Sequence, residues 1–434
     1  MLQEQLVRPP IASPSLGYDY DIAIAGGGIV GLTLACALKG SGLKIALIEP
    51  QPQSQAAAKG QAYALHLISS QILAGIGVWS AIAPWVEPFK QVRMSDGDYP
   101  HVVEFQPSDL QSQALGHVAE HRVLLQALQD FLQKCPDVEW LCPAQVIASH
   151  DQGDRVEVQL AAIEASDPVN PTDITGAESI RVRLLVGADG ARSPIRERAG
   201  ISTHGWDYWQ SCIVVTVATE KPHDNIAYEK FWSSGPFAIL PLPGHHCRIV
   251  WTAPHAEAEA IAALDDQTFL AELTRRFGSQ MGQLRLTSQR FIFSPRLMQS
   301  RRYIADRLAL IGDAAHVCHP VGGQGLNLGI RDAAALAEIL RTAHQQQQDI
   351  GSAQVLRRYQ RWRSPENWAT LGFTDILDRV FSNQSLPVVV ARRLGLRAMQ
   401  TIPPLKVLSL KFMAGLLGRT PELARKSADA KAKV

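Results

Sequence analysis

Short apolar segments alternate along the chain with longer segments in which apolar residues recur at helical spacing. Residues 18–25 are largely apolar and end in glycines, residues 29–39 have helical character, and residues 44–49 form a second apolar segment that ends in an acid. Apolar runs bounded by glycine indicate buried strands, and a helical pattern between two of them indicates a crossover helix. The first fifty residues therefore predict a βαβ unit.

Beyond this unit the pattern predicts further helices, further strands and a helical end to the chain. Helices are predicted over 69–82 and 120–134, and the pattern is mainly helical from residue 333 onward. The polar tract 345–348 is interpreted as a linker or a helix end. Residues 161–180 contain prolines, four acids and no Lys or Arg, and they predict an exposed hairpin insertion. Further strands are predicted at 156–160, 181–186, 212–218, 238–242, 247–252 and 308–311.

Length and composition limit the classes of protein that the chain fits. A chain of 434 residues is too long to fold around one small hydrophobic core, so its length predicts two or three lobes. Its content of 46% hydrophobic and 19% charged residues is typical of globular proteins. The net charge of +1 argues against nucleic acid as a partner. The six cysteines form no CxxC pair, which favours reduced thiols and a cytoplasmic location. No secretory signal is predicted in the first twenty residues, and no transmembrane span is predicted.

A glycine-rich turn follows the first predicted strand. Gly26, Gly28 and Gly31 have the GxGxxG spacing between a strand and a helix, and Glu49 ends the second strand. Glycines permit a tight turn and let backbone amides approach a pyrophosphate, whose charge is favoured at a helix N-terminus. The acid can accept hydrogen bonds from a ribose. Strand, turn, helix and acid together predict a bound dinucleotide.

Two further motifs follow predicted strands in the same way. Asp189 and Gly190 lie in the segment GADGARSPIR after the strand at 181–186, although an Asp-Gly pair alone indicates only a turn. Asp313 follows the strand at 308–311, and residues 319–327 read HPVGGQGLN. The glycines free this backbone to lie against a flat ligand. Amides at the start of the next helix can stabilise negative charge on a reduced flavin ring.

The three motifs together resemble those of the group A aromatic hydroxylases, a family of FAD-dependent monooxygenases. The resemblance implies an α/β fold with a glutathione-reductase-like, Rossmann-type FAD-binding domain, a β-rich substrate domain and a C-terminal helical region. The implied domain ranges are 18–200 and 291–345 for FAD binding, 201–290 with strands within 85–115 for the substrate, and 346–434 for the helices. The implied cofactor-binding residues are Gly26, Gly28, Gly31, Glu49, Asp189, Gly190, Asp313, Pro320, Gly322, Gly323, Gln324, Gly325, Leu326 and Asn327.

Finer likenesses point to one branch of that family. Residues 115–124, 234–242 and 374–383 are similar to segments of the ubiquinone-biosynthesis hydroxylases, the branch typified by 2-octaprenyl-6-methoxyphenol hydroxylation. This resemblance implies that Arg122 contacts FAD and that NAD(P)H docks transiently as a co-substrate. It also implies that O₂ and a prenylated phenol of ubiquinone-type or plastoquinone synthesis are the remaining substrates. One departure is Gln61, where that branch usually carries arginine. The sequence identifies no catalytic residue and no general base for the phenol.

Other functions stay open from the sequence. The halogenase alternative lacks the tryptophan spacing typical of those enzymes, because the nearest pair is Trp206 and Trp209. A prenyl-lipid reductase or epoxidase would share the FAD core, and a non-catalytic FAD-binding subunit of a quinone-biosynthesis complex is the non-enzymatic alternative. A single GxGxxG and the missing CxxC argue against a disulfide reductase. His316, Cys318 and His319 are too close in sequence to converge on a metal, so no metal is predicted.

The end of the chain combines an amphipathic pattern with positive charge. Leu405, Leu408, Phe412 and Leu416 fall on one helical stripe. The pattern favours a helix that docks on the protein, with peripheral contact at the inner face of a membrane as the alternative. The basic residues of this tail are Lys406, Lys411, Arg419, Arg425, Lys426, Lys431 and Lys433.

Overall fold

Two large β-sheets and a set of C-terminal helices make up the fold. The computed structural model describes residues 17–52, 60–97, 99–162 and 178–425. Most of the predicted hairpin insertion at 161–180 lies outside these residues. The first sixteen residues and the lysines of the predicted basic tail after residue 425 also lie outside them.

The elements follow the alternation of apolar segments along the chain. In chain order the strands are β1 (Tyr20–Ala25), β2 (Ile45–Ile48), β3 (Ala62–His66), β4 (Glu87–Phe89), β5 (Gln91–Asp96), β6 (Val102–Phe105), β7 (Gly116–Glu120), β8 (Val138–Leu141), β9 (Ala144–Asp151), β10 (Val156–Ala162), β11 (Glu178–Gly187), β12 (Thr203–Asp207), β13 (Gln210–Thr219), β14 (Ile226–Trp232), β15 (Gly235–Leu242), β16 (His246–Pro254), β17 (Leu284–Leu286), β18 (Phe291–Phe293), β19 (Arg296–Ser300), β20 (Ile304–Ala305), β21 (Leu308–Leu310) and β22 (His316–Val317). The helices are α1 (Ile29–Ala37), α2 (Leu67–Ile76), α3 (Trp79–Ile82), α4 (His121–Leu132), α5 (Pro194–Arg198), α6 (His255–Ala262), α7 (Asp266–Phe277), α8 (Gln324–Gln345), α9 (Ala353–Ser382), α10 (Leu386–Thr401) and α11 (Pro403–Met413).

The first sheet brings the three sequence motifs to one edge. Its order is β20-β21-β11-β1-β2-β8, and the five strands from β21 to β8 run parallel. Ala25 at the end of β1 is level with Gly187 at the end of β11, which is level with Leu310 at the end of β21. Parallel strands end at a common edge, where open α/β sheets bind their ligands. The glycine turn, Asp189 and Asp313 therefore emerge side by side.

This sheet is buried on both faces, which explains the uninterrupted apolar runs of its central strands. The residues Ile22, Ile24, Leu47 and Val186 are fully or almost fully buried in one continuous core. The helix α1 packs against α8 on this core.

The second sheet draws on distant parts of the chain. Its order is β17-β13-β16-β15-β14-β5-β6, and β18 also pairs with β13. One face packs on α6 and α7, where Trp251, Phe269 and Phe277 form a separate core. The opposite face turns toward the edge of the first sheet where the motifs emerge. The domain boundaries at 200, 290 and 345 stay predictions.

One helical prediction needed correction. The prediction of one helix over 69–82 was wrong, because α2 ends at Ile76 and α3 begins at Trp79. Between them Gly77 has a φ of 100°, and a left-handed residue ends an α-helix. The prediction of a mainly helical chain from residue 333 onward is confirmed, and the first of these helices already begins at Gln324, within the HPVGGQGLN segment.

The C-terminal stripe is only partly packed. Leu405 and Leu408 are 39% and 54% exposed, whereas the ring of Phe412 lies 4.9 Å from that of Phe373. Within the described ranges no single helix is long and apolar enough to cross a bilayer. The pair Leu67–Ile76 and Trp79–Trp85 meets that criterion only jointly and is bent by 116°.

Candidate active site

The glycine turn after β1 leaves no room for a side chain at Gly26 or Gly31. Gly26 has a φ of 115°, and a Cβ there would lie 2.3 Å from the carbonyl oxygen of Ala188. A Cβ on Gly31 would lie 2.0 Å from the carbonyl oxygen of Gly26. Gly28 caps α1 without a side-chain hydrogen bond, and a Cβ there would meet nothing within 4 Å. The N-terminus of α1 is therefore open to an anion.

Glu49 lies beside this turn. Its Oε2 accepts a hydrogen bond from the amide of Gly27 at 2.6 Å, and its Oε1 accepts one from the amide of Gln51 at 2.9 Å. The side chain is half-buried. The structure thus places the carboxylate next to the glycine turn, and its contact with a ribose stays a prediction.

Asp189 and Gly190 follow β11 at the same edge. The Asp189 Oδ2 accepts a hydrogen bond from the amide of Ile195 at 3.2 Å. Its Oδ1 is buried and has no hydrogen-bond partner among the described residues. Burial raises the pKa of this carboxyl, partly offset by hydrogen bonds from Ser193 and Ile195. Gly190 has a φ of 85° and contributes to the wall of the adjoining cavity.

Asp313 follows β21 and also lines the cavity. Burial among protein groups raises the pKa of its carboxyl, and nearby His316 offsets part of that rise. The same loop is held from behind by Asp332, whose Oδ2 accepts hydrogen bonds from the amide of Gly312 at 3.1 Å and from His316 Nε2 at 2.5 Å. Although burial opposes its ionisation, His316 and Arg363 hold the pKa of Asp332 well below its usual range.

A left-handed turn precedes α8 and faces the cavity. Gly322 and Gly323 have φ values of 69° and 61°, and both line the cavity with Pro320, Gly325 and Leu326. The helix α8 has no side-chain N-cap and no acid in its first turn. Its free amides and dipole therefore favour negative charge in the cavity.

Asn327 and Gln324 lie behind this turn. Asn327 Oδ1 accepts from the amide of His66 at 2.9 Å and from Ser69 Oγ at 2.7 Å. Its Nδ2 donates to the carbonyls of Ala64 and Gly323, both at 2.7 Å. All four hydrogen-bonding positions of the Asn327 amide are thus used to hold β3 and the start of α2 against the turn.

Gln324 and His66 fasten the same turn from two other sides. Gln324 Nε2 donates to the carbonyl of Met413 at 3.2 Å and so ties α8 to the end of α11. His66, which the sequence did not single out, lies 3.0 Å through Nε2 from the carbonyl of Gly322. Burial lowers the pKa of His66 to about 4. Its only sequence signal was a histidine at the end of an apolar run.

Gln61 takes part in a small polar cluster on the cavity wall. The Tyr63 hydroxyl donates to Gln61 Oε1 at 2.7 Å and lies 3.1 Å from His121 Nδ1, and all three residues line the cavity. Burial raises the pKa of Tyr63 well above its usual range. Neighbouring Arg122 is outside this wall: its side chain is 71% exposed and lies 3.9 Å from Glu120.

The cavity has a volume of about 640 Å³ and two chemically different ends. Of the predicted residues it brings together Gly28, Gly190, Asp313, Pro320, Gly322, Gly323, Gly325 and Leu326. Gly26, Gly31, Glu49, Arg122, Asp189, Gln324 and Asn327 are not part of its wall. The other end is apolar and is lined by Phe89, Val92, Met94, Phe105, Leu115, Val214, Ala227, Phe231, Ala238, Leu240, Val250, Phe373, Leu377, Met399, Leu410 and Met413.

The polar end fits FAD. Three features suit a pyrophosphate and hydroxyl groups: a turn in which a Cβ on Gly26 or Gly31 would clash, two helix N-termini without side-chain caps, and a carboxylate oxygen of Asp189 that is unpaired among the described residues. No cluster of three or more His, Cys, Asp or Glu side chains that could hold a metal ion occurs among the described residues.

Comparisons with known proteins agree with this geometry. The family described as FAD binding domain matches residues 19–374. The ubiquinone hydroxylase UbiL of Rhodospirillum rubrum is 38% identical over 93% of this chain and 92% of its own. The 3-demethoxyubiquinol 3-hydroxylase of Escherichia coli is 34% identical over 91% of this chain and 98% of its own.

A solved structure shares the fold. The p-nitrophenol 4-monooxygenase PnpA of Pseudomonas putida superimposes with a TM-score of 0.73 at 18% identity, covering 92% of this chain and 98% of that one. The family match extends over both sheets and most of α9, and the relatives align along nearly their whole length. The chain therefore belongs to the FAD-binding family of aromatic-ring monooxygenases, in the branch of the ubiquinone-biosynthesis hydroxylases.

Proposed function

We propose that this protein hydroxylates the aromatic ring of a prenylated phenol in quinone biosynthesis, using NAD(P)H and O₂. The observation that carries the proposal is the continuity of the cavity. A phenolic head between the polar end and the second sheet, with an apolar chain along α10 and α11, would match the cavity. The names of the relatives, a ubiquinone hydroxylase and a 3-demethoxyubiquinol 3-hydroxylase, favour the same substrate class.

In this proposal each motif holds one part of FAD. Gly26, Gly28 and Gly31 with Glu49 bind its ADP half, with Arg122 as a phosphate contact. Asp189, Gly190 and Asp313 lie along the pyrophosphate and ribityl chain. The turn from Pro320 to Leu326 lies against the flavin ring, supported from behind by Gln324 and Asn327.

Bound FAD supplies the acceptance of hydride from NAD(P)H and the activation of O₂. The protein orients the phenol and excludes water. Side chains such as Phe231, Leu240 and Leu377 present carbon to the substrate region and so limit the water that it can hold. The amides at the start of α8 would stabilise negative charge on a bound flavin ring.

We also propose that the helices α10 and α11 lie against a lipid bilayer. Leu386, Val390 and Leu394 recur at four-residue spacing on α10 and are 74%, 48% and 61% exposed. On the inner side of the same helices, Met399 and Leu410 line the cavity. A prenylated substrate would pass between a bilayer and the cavity along these two helices.

A vesicle assay tests the membrane contact. Sedimentation with vesicles that contain anionic lipid should retain the wild type and lose most of the variant Leu386→Ser with Leu394→Ser. Ile376→Ser, which removes a side chain that is 60% exposed on α9, serves as the matched control. Equal sedimentation of all three proteins, or none of the wild type, would remove this part of the proposal.

The enzymatic proposal is tested with FAD-loaded protein, NAD(P)H, labelled O₂ and a panel of prenylated phenols. Mass spectrometry should find one labelled oxygen in the ring of one phenol. In a deletion strain one under-hydroxylated prenylphenol should accumulate. An unchanged quinone pool together with no labelled product would refute the function and favour a non-catalytic FAD-binding subunit.

A further inference from the structure

Glu229 stands on the face of the second sheet that forms the apolar end of the cavity. On β14, Ala227 and Phe231 belong to the core beside the cavity, whereas Tyr228 and Trp232 pack against the opposite core. Side chains alternate between the two faces of a strand. Glu229 therefore shares the cavity face with Ala227 and Phe231, and it contributes to the cavity wall.

The register of the sheet surrounds this carboxylate with carbon. Across five strands the row reads Met94, Glu229, Ala238, Val250 and Val214, each level with the next. All five residues line the cavity. A charged residue in the middle of an apolar row is unfavourable for folding, so its presence calls for a role in binding or catalysis.

This carboxylate lacks a compensating partner among the described residues. Glu229 Oε1 is buried and has no hydrogen-bond partner among the described residues. Burial alone raises the pKa of the Glu229 carboxyl to about 8. Among the described residues of the cavity wall, the other carboxylate is that of Asp313 at the flavin end.

The ionisable groups on neighbouring elements leave Glu229 unpaired. On β13, the Cys212 thiol stays neutral because burial raises its pKa to about 12. On α9, burial raises the pKa of Asp378 to about 6, and that side chain bonds toward Gln210 and Ser382. On β5, Arg93 forms an ion pair with Glu104 at 3.0 Å, and its guanidinium lies over the ring of Tyr228, which packs on the other face of the sheet.

We propose that Glu229 takes the proton from the phenolic hydroxyl of the substrate; this inference rests on the proposed function. The O–H bond of the phenol breaks, a carboxyl O–H bond forms on Glu229, and the electron pair stays on the phenolate oxygen. The phenolate ring is richer in electrons at the carbon that receives oxygen. The proton returns to the product phenolate before release, which regenerates the carboxylate. A carboxyl with a raised pKa is suited to this exchange with a phenol.

The pH dependence of hydroxylation follows from the protonation state that Glu229 needs in order to accept a proton. The proton acceptor is the ionised carboxylate of Glu229. In the substrate-free cavity this form predominates above pH 8, and at pH 7 roughly a tenth of the Glu229 side chains are ionised. Ring hydroxylation per enzyme should therefore rise with pH through about 8. The Glu229→Gln variant should lose this inflection and, at pH 7 to 8, about 10²-fold in hydroxylation rate.

A chromogenic prenylated nitrophenol gives a second reading that does not depend on turnover. Its absorbance reports ionisation directly, so the fraction of bound phenolate can be titrated in the FAD-loaded protein without NAD(P)H. The pH dependence of that fraction should contain the inflection near pH 8 in the wild type and lack it in Glu229→Gln. Glu104→Gln, which changes a carboxylate on β6 outside this cavity, should behave as the wild type.

The outcomes separate this inference from the proposed function. If the wild type hydroxylates no prenylated phenol, the proposed function fails and this inference with it. If the wild type hydroxylates but Glu229→Gln keeps both pH profiles, the assignment of Glu229 alone is overturned. If Glu229→Gln does not retain FAD, the Glu229→Asp variant is tested in its place. A lower hydroxylation rate whose pH profile still contains the inflection supports the assignment, and a hydroxylation rate equal to that of the wild type overturns it.

Discussion

Replacing Asn327 with alanine removes four hydrogen bonds from one buried point. These bonds have lengths of 2.7 to 2.9 Å and join α8 to His66, Ser69, Ala64 and Gly323. At about 1 kcal/mol for each buried bond, the free energy of unfolding should fall by about 4 kcal/mol. Typical domains have about 5–15 kcal/mol, so the variant should still fold.

The same change should weaken FAD binding. Without Asn327 the turn at Gly322 and Gly323 is held less firmly against β3, where the contact of His66 with the Gly322 carbonyl remains, so FAD must supply part of the ordering itself. If FAD binding must restore the order that one of these hydrogen bonds provided, it loses about 1 kcal/mol, which raises the Kd for FAD about fivefold. Urea unfolding followed by tryptophan fluorescence measures the stability, and titration of apoprotein with FAD measures the affinity.

Two further variants make the test sharp. Asn327→Asp keeps both accepted bonds but sets a carboxylate against the carbonyls of Ala64 and Gly323, so it should be no more stable than the alanine variant. Asn383→Ala, which removes an exposed cap on Ser385, should change neither quantity. An alanine variant at 327 within 1 kcal/mol of the wild type, with unchanged FAD affinity, would refute the reasoning.

Two other predictions concern the cofactor cradle and acid stability. Gly26→Ala should purify without flavin, because its Cβ would lie 2.3 Å from the Ala188 carbonyl at a φ of 115°. The flavin-to-protein absorbance ratio measures this, and Gly372→Ala on α9, where a Cβ would meet nothing within 4 Å and φ is not positive, should retain FAD. Burial lowers the pKa of His66 from 6.5 to about 4. Between these two pH values His66 is protonated in the unfolded state but neutral in the folded state, so the folded state loses stability as the pH falls. From pH 7 to pH 4 the free energy of unfolding of the wild type should fall by on the order of 3 kcal/mol, and that of His66→Gln should fall by less, as measured by urea unfolding at the two pH values. Equal losses in the two proteins would contradict the assignment.

The cofactor end of the site was accessible to sequence reasoning because its parts follow strand ends. Gly28, Asp189 and Asp313 each come directly after an apolar run, and parallel strands end at one edge of a sheet. The local pattern predicts the strand, and the topology of parallel sheets supplies the proximity. Distances in space then follow without knowledge of long-range contacts.

The apolar end of the cavity was not accessible in this way. Glu229 is notable only because its sheet neighbours are Met94 and Ala238, and the pairing of β14 with β5 joins segments far apart in the sequence. Register between distant strands leaves no local signature. The position of Asn327 shows the same limit, since its partners His66 and Ser69 come from a strand and helix more than 250 residues earlier.

The parallel pairing of β14 with β5 also bears on how such a protein is assembled and diversified. In the chain, the strands β5 and β6 come before β8 and β11 of the first sheet, yet they join the second sheet through the pairing of β5 with β14. During synthesis they must wait until the ribosome has released β14, so the sheet closes late and through contacts of long sequence separation. A segment excised at 201–290 would present β14 as an open edge, prone to pair with other chains. The second sheet is encoded by two separate parts of the chain, so recombination between relatives could not exchange it as one contiguous segment. Both parts would have to be exchanged together.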